Sequence, residues 1–244
     1  SNMQPNASKH DCTRHDSSGL AAIILAAGKG TRMRSSLPKV LHNVADKPMV
    51  SHVIDSARQL GANNIYVVYG FGGDALKATL SKERTSGDLT FIEQKEQLGT
   101  GHAVQQALPY LSENSISLIL YGDVPLIKTE TLKRLVAAVD ANSLGLLTVS
   151  LDNPQGYGRI VRNAAGKVEA IVEEKDALED QLSIAEVNIG VMAINSTHLK
   201  DWLPLLSNDN AQGEFYLTDM IAIARNNSIA IVTEQPNDEW EVLG

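Results

Sequence analysis

The strongest constraint on the fold is the alternation of short apolar runs with amphipathic helical segments through the first 140 residues. The run from Leu20 to Gly28 is continuously apolar and ends in glycine. Such a run reads as a strand buried on both faces, as in a parallel sheet covered by helices on each side. Residues 48–61 then place Val50, Val53, Ile54, Ala57 and Leu60 at helical spacing and stop on Gly61. Strand patterns recur at 64–70, 89–94 and 115–125, and helical ones at 73–82, 101–111 and 129–140. The last helix carries Leu132, Leu135, Val136 and Val139 on one face, with Thr129 expected as its N-cap. The pattern predicts an α/β fold with a mostly parallel central sheet flanked by helices.

The second half has a different texture. Short β patterns occupy 145–151, 158–163, 167–174, 186–195 and 228–235, with helical patterns at 198–206 and 215–226. No internal repeat, low-complexity stretch or long linker divides the chain. One domain over 19–244 with a β-rich half is therefore expected, preceded over 1–18 by a disordered polar tail that includes a tag remnant. Nothing approaches a run of about 18 apolar residues, so no membrane span is expected. The polar start lacks the apolar core of a secretory signal, and the single cysteine, Cys12, permits no internal disulfide; both fit a cytoplasmic location. The net charge of −8 argues against a nucleic-acid surface. It leaves room for a small anionic ligand, because charges further off than about 8–10 Å are screened.

In a parallel sheet, ligands bind where the strands end at their carboxyl side, near a switch in strand order. Three polar loops follow strands, at 28–39, 94–100 and 121–125, and are expected to lie together. The first runs Gly28-Lys29-Gly30-Thr31-Arg32-Met33 and continues to Pro38-Lys39. It matches neither G-x-G-x-x-G nor G-x-x-x-x-G-K-[ST], so the two best-known phosphate loops are excluded. Its free N–H groups and cations can wrap a polyphosphate, with Pro38 fixing the backbone before Lys39; the alternative is a surface turn with solvated cations. In "YGDVPL" (121–126), Asp123 stands where a strand emerges: it either caps a turn or faces the phosphates and holds Mg²⁺. Gln94 and Gly99-Thr100-Gly101 offer an amide and backbone groups suited to the edge of a flat base, or else form only a glycine turn.

"NPQGYGRIV" (153–161), "VEEKDA" (172–177) and "VNIG" (187–190) read as structural turns on their own, although Glu173 and Asn188 are residue types that bond sugar hydroxyls or an acetamide. Other chemistries are poorly served. There is no G-x-S-x-G, Cys12 lies in the tail, and the six histidines form no zinc spacing. His52 and His102 read as surface or packed residues of helices.

"LAAGKGTRMRSSLPK" resembles the signature of the sugar-1-phosphate nucleotidylyltransferases, L-A-A-G-x-G-T-R-M followed by P-K. "EQLGTGHA", "LYGDVPL", "GYGRI" and "VEEKDA" narrow the resemblance to the uridyltransferase domains of bacterial bifunctional N-acetylglucosamine-1-phosphate uridyltransferases/glucosamine-1-phosphate acetyltransferases, over about residues 19 to 244. The resemblance implies a Rossmann-like nucleotidyltransferase fold. It also implies transfer of a uridylyl group from UTP to N-acetylglucosamine 1-phosphate, giving UDP-N-acetylglucosamine and pyrophosphate for peptidoglycan and lipopolysaccharide precursors. By the same resemblance, Leu25, Ala26, Ala27 and Gly28 hold the nucleotide through the backbone, and Arg32 and Lys39 stabilise phosphate charge. Gln94, Gly99 and Thr100 read uracil. Tyr121, Gly122 and Asp123 line the site, with Asp123 on Mg²⁺. Gly158, Glu173 and Asn188 hold the sugar.

Two departures from the family pattern stand out. Asn188-Ile189-Gly190 replaces N-T-G, and the chain stops at "EWEVLG" (239–244), before the V-N whose Asn is the family's second metal ligand. The acetyltransferase β-helix would follow. A truncated fragment with an incomplete metal site is thus expected: a monomer here, a homotrimer in the full-length parent. The alternatives are a nucleotidylyltransferase for another sugar or base, and a sugar-nucleotide-binding fragment with little turnover.

Overall fold

The computed structural model describes residues 19–27, 37–82 and 87–242. The expected polar tail, Gly28 and Arg32 lie outside them. Strand β1 (Leu20–Leu25) is followed by a minimal hairpin, β2 (Asn43–Val44) and β3 (Lys47–Pro48), and then by α1 (Met49–Gln59). Next come β4 (Asn64–Tyr69), α2 (Gly73–Ser81), β5 (Leu89–Glu93), α3 (Thr100–Gln105), β6 (Ile116–Tyr121) and α4 (Thr129–Ala137). The second half contributes β7 (Ser143–Ser150), β8 (Arg159–Arg162), β9 (Val168–Val172), α5 (Glu179–Leu182) and β10 (Glu186–Asn195). It closes with α6 (Ser196–Trp202), α7 (Met220–Asn226) and β11 (Ala230–Glu234).

The main sheet has the order β11-β7-β10-β6-β1-β4-β5. β1 pairs in parallel with β4 on one side and β6 on the other, β4 pairs in parallel with β5, and β7 with β11. β10 runs antiparallel between β6 and β7 and carries the β8–β9 hairpin through a single Val187–Arg159 pairing. The sheet is mostly parallel, as the alternation requires, and the β-rich half joins it as an extension.

β1 sends alternate side chains to opposite faces. Ala22 and Ile24 enter a core with Val50, Val53, Ile54 and Ala57 of α1, Leu76 and Leu80 of α2, and Leu132 and Leu135 of α4. Ile23 and Leu25 enter another with Val104 of α3, Leu199 and Trp202 of α6, and Met220, Ile221 and Ala224 of α7. Burying both faces demands the unbroken apolar run seen in the sequence.

The N-terminus of α4 departs from expectation. Thr129 lies inside the helix, Lys128 is its N-cap residue, and the Thr129 hydroxyl donates to Gln59 Oε1 at 2.6 Å. A residue more than 100 positions away supplies the capping carboxylate. Glu241, fully buried, accepts the Lys128 N–H (2.9 Å) and the Thr131 hydroxyl (2.8 Å) through Oε1. Lys128 Nζ also pairs with Asp238 at 3.0 Å and lies 5.0 Å from the Trp240 ring centroid, which fastens 238–242 to the helix end. Glu241→Ala leaves that N–H and hydroxyl without their acceptor and is expected to cost about 1–3 kcal/mol. Urea unfolding should show a lower midpoint than for Glu241→Gln, which keeps an acceptor oxygen.

Candidate active site

The strand order reverses at β1. The chain moves from β1 out to β4 and β5, then returns to place β6 on the opposite side. The carboxyl ends of β1 and β6 therefore stand at the switch point, where a crevice opens. The Ala26 N–H donates to Val68 O (2.8 Å) and the Gly122 N–H to Leu25 O (3.0 Å), so both ladders continue to the crevice floor. A cleft of about 450 Å³ lies there.

Leu25, Ala26 and Ala27 form its floor; Lys39, Tyr121 and Asp123 occupy one side, and Gln94, Gly99 and Thr100 the other. Lys39 begins a 3-10 turn, Lys39–Leu41, set up by Pro38 at φ −55° with Leu41 N–H donating to Pro38 O. Lys39 Nζ lies 3.5 Å from Asp123 Oδ2, with both side chains about half exposed. Gly122 sits behind the cleft wall, against Val40 and Val50.

The Gln94 wall is held from a distance. Gly99 has φ +109°, and a Cβ there or at Gly101 would fall within 3 Å of Phe215 O. That close approach lets Gly101 N–H donate to Phe215 O and Phe215 N–H to Leu98 O, both at 2.8 Å, while Thr100 Oγ1 accepts from Leu217 N–H at 3.0 Å. Gln94 is buried; its Nε2 donates to Gly99 O at 3.2 Å and lies 2.9 Å from His102 Nδ1. His102 is thus a packed residue, and its packing partner is a cleft residue.

Gly158, Glu173 and Asn188 form a second cluster beyond Tyr121. Asn188 N–H donates to Gly158 O at 2.9 Å, and a Cβ on Gly158 would come within 3.5 Å of both Glu173 carboxylate oxygens. The preceding turn is fixed by Glu174, which accepts Gly156 N–H at 2.8 Å and pairs with the buried Arg159 at 3.3 Å. The pairing of β10 with β7 shifts register between Asn188 and Met192, and Gly190 sits there at φ +98°. A Cβ on Gly190 would lie 2.5 Å from the Tyr121 ring, so this glycine admits the tyrosine between cluster and cleft.

The electrostatics differ along the site. Burial, then Glu173 and Asp123, push the Tyr121 phenol far above its ordinary value, so it stays a hydroxyl. Burial raises the Glu173 carboxyl; the Thr218 hydroxyl, donating to its Oε1 at 3.1 Å, opposes this, while Asp219 and Asp176 add to it. Asp219 is raised by burial and then by Asp176. One end thus offers a cation beside a carboxylate, the other carboxylates and hydroxyls suited to neutral O–H and N–H donors.

Several cleft residues went unmarked in the sequence, Val40 and Ala103 among them. Phe71, 60% exposed on the rim, and Gln97 follow β4 and β5; Gln212 and Glu214 come from a distant segment. Asn210 shapes that segment, its Oδ1 accepting from Gln212 and Glu214 N–H and its Nδ2 donating to Glu214 O. Phe71 was detectable in principle, as it stands where a fourth strand ends. Among the described residues no group of three or more His, Cys, Asp or Glu side chains could hold a metal ion. Asp123 at the mouth of the cleft suits a hard divalent cation that draws its other ligands from phosphates and water.

This is the arrangement of an α/β nucleotidyltransferase domain. A family model for the MobA-like NTP transferase domain matches residues 22–182, and the chain belongs to that family. Curated relatives called "Bifunctional protein GlmU" are similar to it: that of Saccharophagus degradans is 59% identical over 225 residues, 92% of this chain and 49% of that protein. Those of Marinobacter nauticus and Alcanivorax borkumensis are 54% and 56% identical, covering 93% and 92% of this chain and 49% of theirs. The chain spans about half the length of the curated relatives it matches. A solved UDP-glucose pyrophosphorylase in complex with UDP-glucose shares the fold, with a TM-score of 0.73 at 16% identity over 89% of this chain and 91% of that one. No helix among the described residues is long and apolar enough to cross a membrane.

The raised Glu173 carboxyl makes stability depend on pH. The folded state holds this proton more tightly than the unfolded chain does. Stability from this group is full below the ordinary carboxyl range and is lost as pH rises through the raised value. Glu173→Gln keeps an acceptor for Thr218 and removes the buried charge. It is expected to melt higher than the parent at pH 7 and no higher at about pH 3.5, where the carboxyl is largely protonated in both states.

Proposed function

We propose that the chain is the uridylyl-transferring half of a bifunctional enzyme, moving UMP from UTP to N-acetyl-α-D-glucosamine 1-phosphate to give UDP-N-acetylglucosamine and pyrophosphate. The observation that carries this reading is the juxtaposition, in one cleft, of the Lys39–Asp123 pair with the buried Gln94 amide and the Gly99–Thr100 backbone. The relatives' name and the shared fold support it. A phosphate oxygen of the sugar phosphate attacks the α-phosphorus of UTP in line. A new P–O bond forms, the bond to the β-phosphate bridging oxygen breaks, and pyrophosphate leaves with the electron pair. The nucleophile belongs to the substrate, so the protein needs no serine, cysteine or histidine for the step.

What this chain supplies is position and charge. Lys39 faces the phosphates, with Arg32 of the preceding loop assigned the same task by resemblance. Gln94, Gly99 and Thr100 hold the uracil edge, and Leu25, Ala26, Ala27 and Gly28 hold the uridine and phosphates through their backbone groups. Gly158, Glu173 and Asn188 take the N-acetylglucosamine, with Tyr121 as a neutral hydroxyl between the two groups. Asp123 would hold Mg²⁺, which supplies charge neutralisation on the phosphates when bound. The product feeds peptidoglycan and lipopolysaccharide precursors in the cytoplasm. The full-length protein would also acetylate glucosamine 1-phosphate from acetyl-CoA and form a trimer, whereas this chain alone is a monomer.

Calorimetry with UDP-N-acetylglucosamine, UDP-glucose and dTDP-glucose, with and without Mg²⁺, tests the assignment. A preference of about tenfold or more for UDP-N-acetylglucosamine is expected, the scale of one or two well-placed hydrogen bonds. No preference, or one for thymidine, would leave the family standing and sink the substrate. Asp123→Asn should cut metal-dependent pyrophosphate release at least about a hundredfold while changing uridine-nucleotide affinity only a few-fold. Equal loss of both would remove the metal role.

A further inference from the structure

The Gln94 carboxamide has a fixed direction. Its backbone is pinned at the end of β5, where its N–H donates to Tyr69 O at 2.7 Å. Its side chain is 2% exposed at the residue level, and Nε2 lies 3.2 Å from Gly99 O. A backbone carbonyl can only accept, so this contact identifies the nitrogen end of the amide. The second N–H of the same nitrogen points at His102 Nδ1, 2.9 Å away. With both N–H groups engaged, the oxygen Oε1 is the polar atom Gln94 has left for a ligand in the cleft.

His102 reinforces this direction as the second and closer partner of the same nitrogen. A neutral imidazole accepts at one nitrogen and donates at the other. The 2.9 Å approach of Gln94 Nε2, closer than the 3.3 Å approach of Gln106 Nε2 to the other ring nitrogen, assigns the accepting role to Nδ1 and the ring proton to Nε2. Gln106 Nε2 donates to His102 O at 2.9 Å; its 3.3 Å approach to His102 Nε2 then sets two N–H groups side by side and adds no bond. The ring cannot drift from Gln94, because the first turn of α3 is fastened to Phe215 and Leu217 through Gly101 and Thr100.

An amide that offers only an acceptor discriminates between pyrimidines. Uracil presents an N3–H donor flanked by two carbonyls, whereas cytosine in the same pose presents an N3 lone pair. The first pairs with Gln94 Oε1; the second meets it lone pair to lone pair and leaves a buried acceptor unsatisfied. We propose that His102 is a positioning residue that sets the base preference of the cleft, holding Gln94 as an acceptor and thereby selecting uracil over cytosine. This rests on the uridine-nucleotide reading of the cleft. It adds a determinant that never touches the base.

The test is calorimetric binding of UTP and CTP to the whole chain, to His102→Leu and to His102→Asp, with folding checked by circular dichroism. The parent should prefer UTP. In His102→Leu the amide keeps only its 3.2 Å bond to Gly99 O and turns over more readily, and the UTP-to-CTP affinity ratio should fall by about tenfold or more, the scale of one unmade buried hydrogen bond. His102→Asp places an obligate acceptor on the same Cγ branch and should keep the ratio. Failure of UTP to bind the parent would overturn the uridine reading and this inference with it. A parent that prefers UTP while folded His102→Leu keeps its ratio would overturn the inference alone, as would equal collapse of the ratio in both variants. If neither variant folds, ¹⁵N shifts of the parent's His102 ring decide: a proton on Nε2 is expected, and one on Nδ1 overturns the inference.

Discussion

The cleft exists because β1 takes its two hydrogen-bonded neighbours on opposite sides from different stretches of the chain, β4 from the first crossover and β6 from the third. Parallel strands joined by right-handed crossovers place all their carboxyl ends on one edge, and only where the winding changes direction do the exiting loops separate. Everything with chemical potential is hung from that edge. Ala27, Lys39, Gln94, Tyr121 and Asp123 come from three stretches of sequence, yet the register of three parallel pairings puts them within one cavity. A slip of one residue in β1 would turn Ile23 and Leu25 into the opposite core and move the loops with them. The two apolar cores that fix that register are as much part of the site as the polar side chains.

The second half of the chain completes the site without adding to the parallel core. The antiparallel strand β10 brings Asn188 and Gly190 beside Tyr121 through a local register shift, and the β8–β9 hairpin carries Gly158 and Glu173 to meet them. The burial of carboxylates there works against stability. Glu173 and Asp219 hold their protons more tightly than ordinary carboxyls, which means that their charged forms are disfavoured by their surroundings. A fold that needed only to be stable would place apolar or amide side chains at these positions. Strain of this kind, concentrated beside a cleft, is what a binding site retains for its ligand's donors.

Much of this was legible in the sequence. β1, β4, β5 and β6 announce themselves by apolar runs and α1 and α4 by periodicity, because burial on two faces or on one stripe leaves a direct mark. The loops at 94–100 and 121–125 could be placed for the same reason. What stayed hidden depends on partners distant in the chain. Nothing near 128 says that Glu241 will cap α4, and Thr129 is by local rules the better candidate. The β2–β3 hairpin turns through Ala45 at φ 49° and Asp46 at φ 68°, and alanine is not a residue that marks such a turn. The grip of residues 215–217 on the Gln94 wall is made of two backbone hydrogen bonds and one to the Thr100 hydroxyl, which have no sequence signature beyond Gly99 and Gly101. His102 shows the same limit: its helical segment leaves it a surface or packed residue, and nothing near it points to Gln94.

These hidden contacts share a purpose that follows from the chemistry. Where the substrate brings its own nucleophile, a protein contributes through the placement of charge and hydrogen-bond donors and acceptors, and small displacements are costly. A binding wall on a short six-residue helix would be a poor instrument alone, since a helix of that length has little stability of its own. Here two backbone hydrogen bonds, a third accepted by the Thr100 hydroxyl, and two glycines weld it to residues 215–217, and Asp176 Oδ1 ties the same stretch of chain further on through Ala211 N–H at 2.9 Å. Asp176 also acts electrostatically on Glu173, in the second cluster. The two ends of the site are therefore linked by one strap. A ligand that contacts both ends would meet a surface whose halves are set relative to each other before it arrives, which is the condition for aligning an attacking oxygen with a phosphorus atom.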